Sequence, residues 1–301
     1  MYASVPMLAY GLQSYSWNII KIIILSVLTL YCGYFAALIW NDITDVKIDS
    51  IVHPERPIPS GRISVKKFFA IALFFSIMTF IFAMLVSTWC LFIVGATALF
   101  TAFHDKFLKN KVKIPAYSEI FTPFQWTTVA LFGYFALWTS SQHSENLIYL
   151  PIFGYLSIDT NSIINMILLF FFIYFADNAH DLPEGILDIE GDKRTGVRTY
   201  ATSFGEKNAA RISFFMFFIS GIIGIILYLR TVLSILFLVL FLILWLYILK
   251  VSYKLLKSDN KNRKKIAIIA GRRGFDYFLM SFNLIFVDLL IQLLYKNFNL
   301  F

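Results

Sequence analysis

Residues 232–249 read VLSILFLVLFLILWLYIL, eighteen positions without a single charge and apolar nearly all round a helix. Residues 163–175 and 212–229 have the same character. A helix apolar on every side has lipid or a bundle interior around it, whereas a soluble helix keeps one polar face. About 20 residues cross a bilayer, and runs of that kind recur along the chain. The predicted order is a short piece at 5–12, then 18–40, 68–87, 88–103, 120–139, 163–179, 212–229, 232–251 and 275–295. That is eight full helices and a fragment counted as the first. Residues before Trp17 are too few to span and return, so the first helix is either truncated or a stub that does not cross.

Composition agrees. Of 301 residues, 59% are hydrophobic and 15% charged, against roughly 45–50% apolar and about 25% charged in soluble domains. Cys32 and Cys90 fall inside apolar runs and predict neither a disulfide nor a metal knuckle. No basic segment with a small-residue cleavage site opens the chain, so no cleaved signal is expected. Without a short-period repeat or a polar tail, residues 1–301 read as one all-α, polytopic membrane domain.

The net charge of +8 lies in alternate loops. Lys47, Arg56, Arg62, Lys66 and Lys67 follow the second predicted helix, and Lys106, Lys109, Lys111 and Lys113 the fourth. Lys193, Arg194, Arg198, Lys207 and Arg211 follow the sixth, and residues 257–273 carry seven more. Residues 140–161 have no Lys or Arg. The positive-inside rule places every basic loop in the cytoplasm, in an integral protein of the cell membrane. The charge is then topology, and nothing in it calls for nucleic acid.

Nine of the eighteen acidic residues form two clusters, each at the end of a predicted span. The first is residues 41–49, NDITDVKID; if the helix continues, Asn41, Asp45 and Asp49 share one face. In the second, Asp177, Asp181, Glu184, Asp188 and Asp192 are spaced by three or four and make one stripe, with Glu190 beside it. Like charges at that spacing repel, and an aspartate at mid-membrane costs about 2.5–3.5 kcal/mol. One carboxylate at a helix end needs no cation. Two stripes on the same side, each beside basic residues, point to a cation site. Oxygen ligands favour Mg²⁺, commonly held by one or two carboxylates together with substrate phosphates. Zinc is disfavoured because His53, His104, His143 and His180 are scattered. Lys and Arg beside the acids suit a diphosphate, and no glycine-rich nucleotide loop appears.

The first cluster, followed by residues 53–64 (HPERPIPSGRIS), resembles the first motif of the UbiA prenyltransferase superfamily. Residues 188–199 (DIEGDKRTGVRT), closing with Ser203 to Gly205, are similar to its second, and residues 107–109 resemble its intervening loop. The motifs lie in the family's order, about 140 residues apart. The resemblance implies a bundle of eight to nine transmembrane helices around a central cavity, in which a prenyl group moves from its diphosphate to a lipophilic acceptor. It also implies that Asn41, Asp45 and Asp49 serve one Mg²⁺, and Asp188 and Asp192 another. Lys109, Arg56 and Arg198 become the candidate diphosphate contacts.

The sequence departs from that pattern in its short first helix, in His104 where relatives carry tyrosine, and in residues 180–185, HDLPEG. There Pro183 and Gly185 should kink or open the helix. Asp181 is the candidate catalytic base toward the acceptor, or alternatively a further ligand or a plain hydrogen-bonded acid. Residues 56–61 resemble members acting on geranylgeranylglyceryl phosphate or chlorophyll precursors, and the Asp181-to-Asp188 spacing resembles the 4-hydroxybenzoate branch. A terpene cyclase using the same diphosphate site stays open, as does a transporter, which would explain the acids but not the motifs with their basic loops. Donor length, acceptor identity and oligomeric state are not written in the sequence.

Overall fold

The computed structural model describes residues 1–52, 54–108, 111–140 and 147–297. Its first half contains α1 (Ser4–Tyr10), α2 (Trp17–Thr44), α3 (Val46–Val52), α4 (Val65–Val86) and α5 (Thr88–Phe103), which runs on into a π-helical turn at His104–Leu108. Then come α6 (Tyr117–Phe121) and α7 (Phe124–Trp138). A hairpin of β1 (Leu147–Leu150) and β2 (Gly154–Ser157) leads to α8 (Thr160–Leu187), α9 (Ile189–Thr195), α10 (Tyr200–Phe204), α11 (Glu206–Arg230), α12 (Ile235–Lys257) and α13 (Asn260–Asn297). Among the described residues, seven helices are long and apolar enough to cross a membrane: α2, α4, α5 with its π turn, α8, α11, α12 and α13.

Local chemistry sets several of these boundaries. Ser87 ends α4 by donating its N–H to Ala83 O (3.1 Å) and starts α5 by accepting from Cys90 N (3.2 Å). One residue therefore makes the tight turn expected there. Pro123 breaks the span predicted over 120–139 into α6 and α7. The 15 residues of α7 reach only about 22 Å, short of the roughly 30 Å hydrocarbon core. Ten of them are buried, because α7 packs among α1, α2, α5 and α8. A helix shielded from lipid has no need to match its thickness. The last helix begins at Asn260, well before the predicted start at Phe275, since basic residues limit entry into lipid without ending a helix. The hairpin fills the connection with no Lys or Arg, and its Phe153 meets the ring of Trp89 at 4.3 Å.

The seven residues of α1 bury Val5, Met7 and Leu8 against α7 and α13. The helix does not open at Pro183 and Gly185: α8 stays helical through both. Pro183 has no N–H for the carbonyl of Ala179, and the Ser213 hydroxyl of α11 donates to it instead (2.7 Å, buried). Ser213→Ala should orphan that carbonyl and cost about 1–3 kcal/mol. Thermal unfolding in detergent measures it, and an unchanged midpoint would mean the proline is accommodated another way.

Side-chain contacts define the two ends of the bundle. At one end Lys296 Nζ donates to Leu12 O (2.5 Å), Arg230 to Asn161 Oδ1 (3.2 Å), and Ser234 N to Asp288 Oδ2 (2.9 Å). At the other, Ser118 N donates to Arg198 O (3.2 Å) and Lys264 pairs with Glu190 (3.3 Å). Because α2 leaves the first end at Trp17, its acidic terminus emerges at the second, with the second motif. Cysteines replacing Ser60 and Asn260 should react with an impermeant reagent from the same side of the membrane, and one replacing Thr231 from the other. Labelling of positions 60 and 260 from opposite sides would break this arrangement.

Candidate active site

Each acidic motif is built as a long helix, a one-residue break and a seven-residue helix. The break falls on Asp45 (φ −93°, ψ 5°) and on Asp188 (φ −92°, ψ 5°). Two bonds between residues four apart are kept at each break: Asp45 N to Asn41 O (2.9 Å) and Asp49 N to Asp45 O (2.8 Å). In the second motif they run from Asp188 N to Glu184 O (3.1 Å) and Asp192 N to Asp188 O (2.9 Å). The sequence expectation of one shared face supposed a continuous helix, whereas the helix breaks at Asp45; the two bonds keep Asn41, Asp45 and Asp49 linked turn by turn across it. Glu184, Asp188 and Asp192 repeat the same arrangement, with Glu184 where the first motif has Asn41.

Arg56 was expected to meet diphosphate. Its Nη1 instead lies 3.0 and 2.9 Å from the two carboxylate oxygens of Asp49, and 3.8 Å from Asp42. The reason is burial: Asp49 is 4% exposed, and a buried carboxylate needs a partner. Arg198 donates to Lys113 O (2.7 Å). With Asp192, Lys193 and Thr202 it lines a cavity of about 330 Å³. Lys109 and His53 lie outside the described residues.

Asp181 belongs to a buried polar group in α8. His180 sits between two carboxylates, Nε2 3.1 Å from Asp177 Oδ1 and Nδ1 3.2 Å from Asp181 Oδ1. The side chains of Asp177 and His180 are 1% and 8% accessible, that of Asp181 26%. Asp181 is therefore the most accessible member of the group. Gly274 of α13 makes room for this group, since a Cβ there would lie 2.6 Å from His180 Cβ.

Glu119 was missed in the sequence. It is 7% exposed and accepts from Tyr200 N at the start of α10. Its carboxylate lies against Gly185, where any Cβ would collide with it. Burial, opposed by the Tyr200 N–H and reinforced by Asp181 and Asp192, pushes its carboxyl up to about 8 from 4.5. The one available signal was an acid adjoining an apolar span. A raised carboxyl favours the folded state below about pH 4.5, and that contribution is lost as pH rises through about 8. The stability advantage of wild type over Glu119→Gln should therefore shrink across that interval. A difference independent of pH would contradict it.

Among the described residues, no three of His, Cys, Asp and Glu converge closely enough to hold a metal on their own. The donor set still suits Mg²⁺, which is commonly held by only one or two carboxylates with phosphate oxygens and water completing its shell. The two matching aspartate breaks at one end of the bundle supply such carboxylates.

The profile of the UbiA prenyltransferase family matches residues 3–282. A digeranylgeranylglyceryl phosphate synthase of Methanobrevibacter smithii is 28% identical over 251 residues, 81% of this chain and 80% of that protein. One from Sulfolobus acidocaldarius is 30% identical over 64% of this chain and 61% of that protein. Homogentisate phytyltransferase 1 of Arabidopsis thaliana is 32% identical over 56% of this chain and 40% of its own length. Among solved structures, a UbiA homologue from Aeropyrum pernix K1 superposes with a TM-score of 0.65 at 15% identity, covering 97% of each chain. One from Archaeoglobus fulgidus, bound to DMAPP and Mg²⁺, gives 0.58 at 15% identity over 92% of this chain and 93% of that one. The chain belongs to the UbiA prenyltransferase family and is a membrane-embedded prenyltransferase.

Proposed function

We propose that the chain transfers an isoprenyl group from a prenyl diphosphate to a hydroxyl-bearing lipophilic acceptor, with Mg²⁺ held at its two aspartate breaks. The observation that carries this reading is the repeated break itself, with Asp45 and Asp188 in one backbone conformation and an acid one turn beyond each. Asn41, Asp45 and Asp49 would hold one ion, and Asp188 and Asp192 the other. Bound there with diphosphate, Mg²⁺ would offset the negative charge that grows on the leaving group. Arg198 and Lys109 would meet the diphosphate oxygens. Arg56 would act through Asp49, keeping its carboxylate ionised and oriented.

In the transfer, the bond between the allylic carbon and diphosphate oxygen breaks, and its electron pair leaves with diphosphate. The acceptor oxygen bonds to that carbon, and its proton passes to Asp181, beside which His180 lies at 3.2 Å. The names of the archaeal relatives favour a glycerol-phosphate lipid as acceptor over a quinone precursor. We place the motif face in the cytoplasm, where the basic loops put it. We count α7 as an eighth helix through the membrane and α1 as a shortened ninth, around a cavity open to lipid.

Membranes containing the protein, given labelled prenyl diphosphates with and without an acceptor panel, test the reading. The expected result is a Mg²⁺-dependent prenylated product formed only with acceptor. Diphosphate release without acceptor, together with a hydrocarbon product, would instead identify a cyclase.

A further inference from the structure

A second cavity, of about 830 Å³, opens between the start of α11, the end of α12 and the start of α13. It shares no lining residue with the cavity beside Asp192. Lys207, Arg211, Lys257, Lys261 and Arg263 line it, against one acid, Asp259. That acid is already engaged as the cap of α13, accepting from Asn262 N (3.1 Å). Lys207 and Arg211 are one helical turn apart and so point the same way.

Arg263 is the fixed point of the group. It is 7% exposed, and its guanidinium is held by Asn260 Oδ1 (2.8 Å), Ser258 O (3.0 Å) and Glu206 Oε2 (3.4 Å). Its Nε has no partner among the described residues. Glu206 neutralises Arg263, and with Asp259 it sets two acids against the five cations, which leaves the cavity with an excess of positive charge.

The cavity's depth narrows the choice of anion. One turn further into the bundle, Tyr253 and Phe215 are 49% and 60% exposed. Lys257 Nζ lies 5.7 Å from the Tyr253 ring. The cations therefore sit directly above an outward-facing aromatic band, the level at which lipid headgroups meet the hydrocarbon. A phosphate at that height can be attached to acyl chains lying along α11 and α12.

We infer that this cavity is a phosphate-binding site distinct from the prenyl-transfer site, taking the phosphate of an anionic membrane lipid. The same five cations would accept free inorganic phosphate, but only a lipid would also use the aromatic band. The inference does not depend on the acceptor assigned above.

The test uses the full-length protein in detergent, with lipid binding followed by native mass spectrometry and by titration. The probes are dioleoyl phosphatidylglycerol, dioleoyl phosphatidylcholine and inorganic phosphate. Phosphatidylglycerol should bind well above phosphatidylcholine. Lys207→Ala/Arg211→Ala/Lys261→Ala should weaken it on the order of 100-fold, at the usual contribution of a basic residue near a charged lipid surface. Prenyl diphosphate binding should not change. Lys66→Ala/Lys67→Ala, a charge change on another basic loop, should leave phosphatidylglycerol affinity intact. Binding of inorganic phosphate without phosphatidylglycerol, lost in the triple variant, would keep the phosphate site and reject the lipid as its source. Equal binding of the two lipids with no phosphate binding, or equal losses in both sets of variants, would overturn the inference.

Discussion

Asp45→Asn and Asp192→Asn should each lower turnover by roughly a hundred- to several-thousand-fold while the protein stays folded. Asparagine keeps shape and one oxygen but removes the charge that holds a divalent ion against diphosphate. Single electrostatic deletions of this kind remove about 3–5 kcal/mol of transition-state stabilisation. Asp45 lies at one helix break and Asp192 one turn past the other. Asp42 is the internal control. It is next to Asn41 but about 100° round the helix from it, and its nearest recorded cation is Arg56 at 3.8 Å. Asp42→Asn should cost much less. Single-turnover assays with labelled donor, run beside thermal unfolding, measure both effects. Equal losses at positions 42 and 45 would refute the assignment of faces.

Asp181→Asn should separate acceptor chemistry from donor binding. Asp181 is on the stripe with Asp188 and Asp192 but about two turns back along α8, roughly 10 Å from Asp188. It is also the accessible end of the group formed with His180 and Asp177. Loss of a positioned base costs about 10²–10⁴ in rate. Turnover should therefore fall on the order of 100-fold, or the acceptor KM rise, with Mg²⁺-dependent donor affinity nearly unchanged. Asp188→Asn should lose donor binding. Donor titrations of both variants, with and without Mg²⁺, distinguish the roles. Matching losses would return Asp181 to the metal site.

The acidic faces were legible in the sequence because a three- or four-residue period is a property of the helix itself. Asn41, Asp45 and Asp49 keep that spacing wherever the helix sits, and backbone bonds still join them in succession across the break at Asp45. The apolar runs were legible for a related reason: lipid tests every side of a helix, so a lipid-facing segment is apolar all round. Length alone placed one unbroken helix over 120–139, where Pro123 leaves the shorter α7 shielded by its neighbours.

The contacts between distant segments were not legible. Glu119 meets Tyr200 across 81 residues and lies against Gly185, and Ser213 reaches Ala179 across 34. Arg56 is only seven residues from Asp49, yet its pairing follows from how deeply that carboxylate is buried. Partners of this kind are chosen by packing, because a buried charge or orphaned carbonyl takes whichever donor or acceptor the neighbouring helix brings near. The sequence by itself determined the membrane class, the family and the residues of both acidic faces, all set by local period and composition. Only the tertiary structure decided that Arg56 pairs with Asp49, that His180 lies between Asp177 and Asp181, and that Glu119 joins the second motif, since each depends on burial in the assembled bundle.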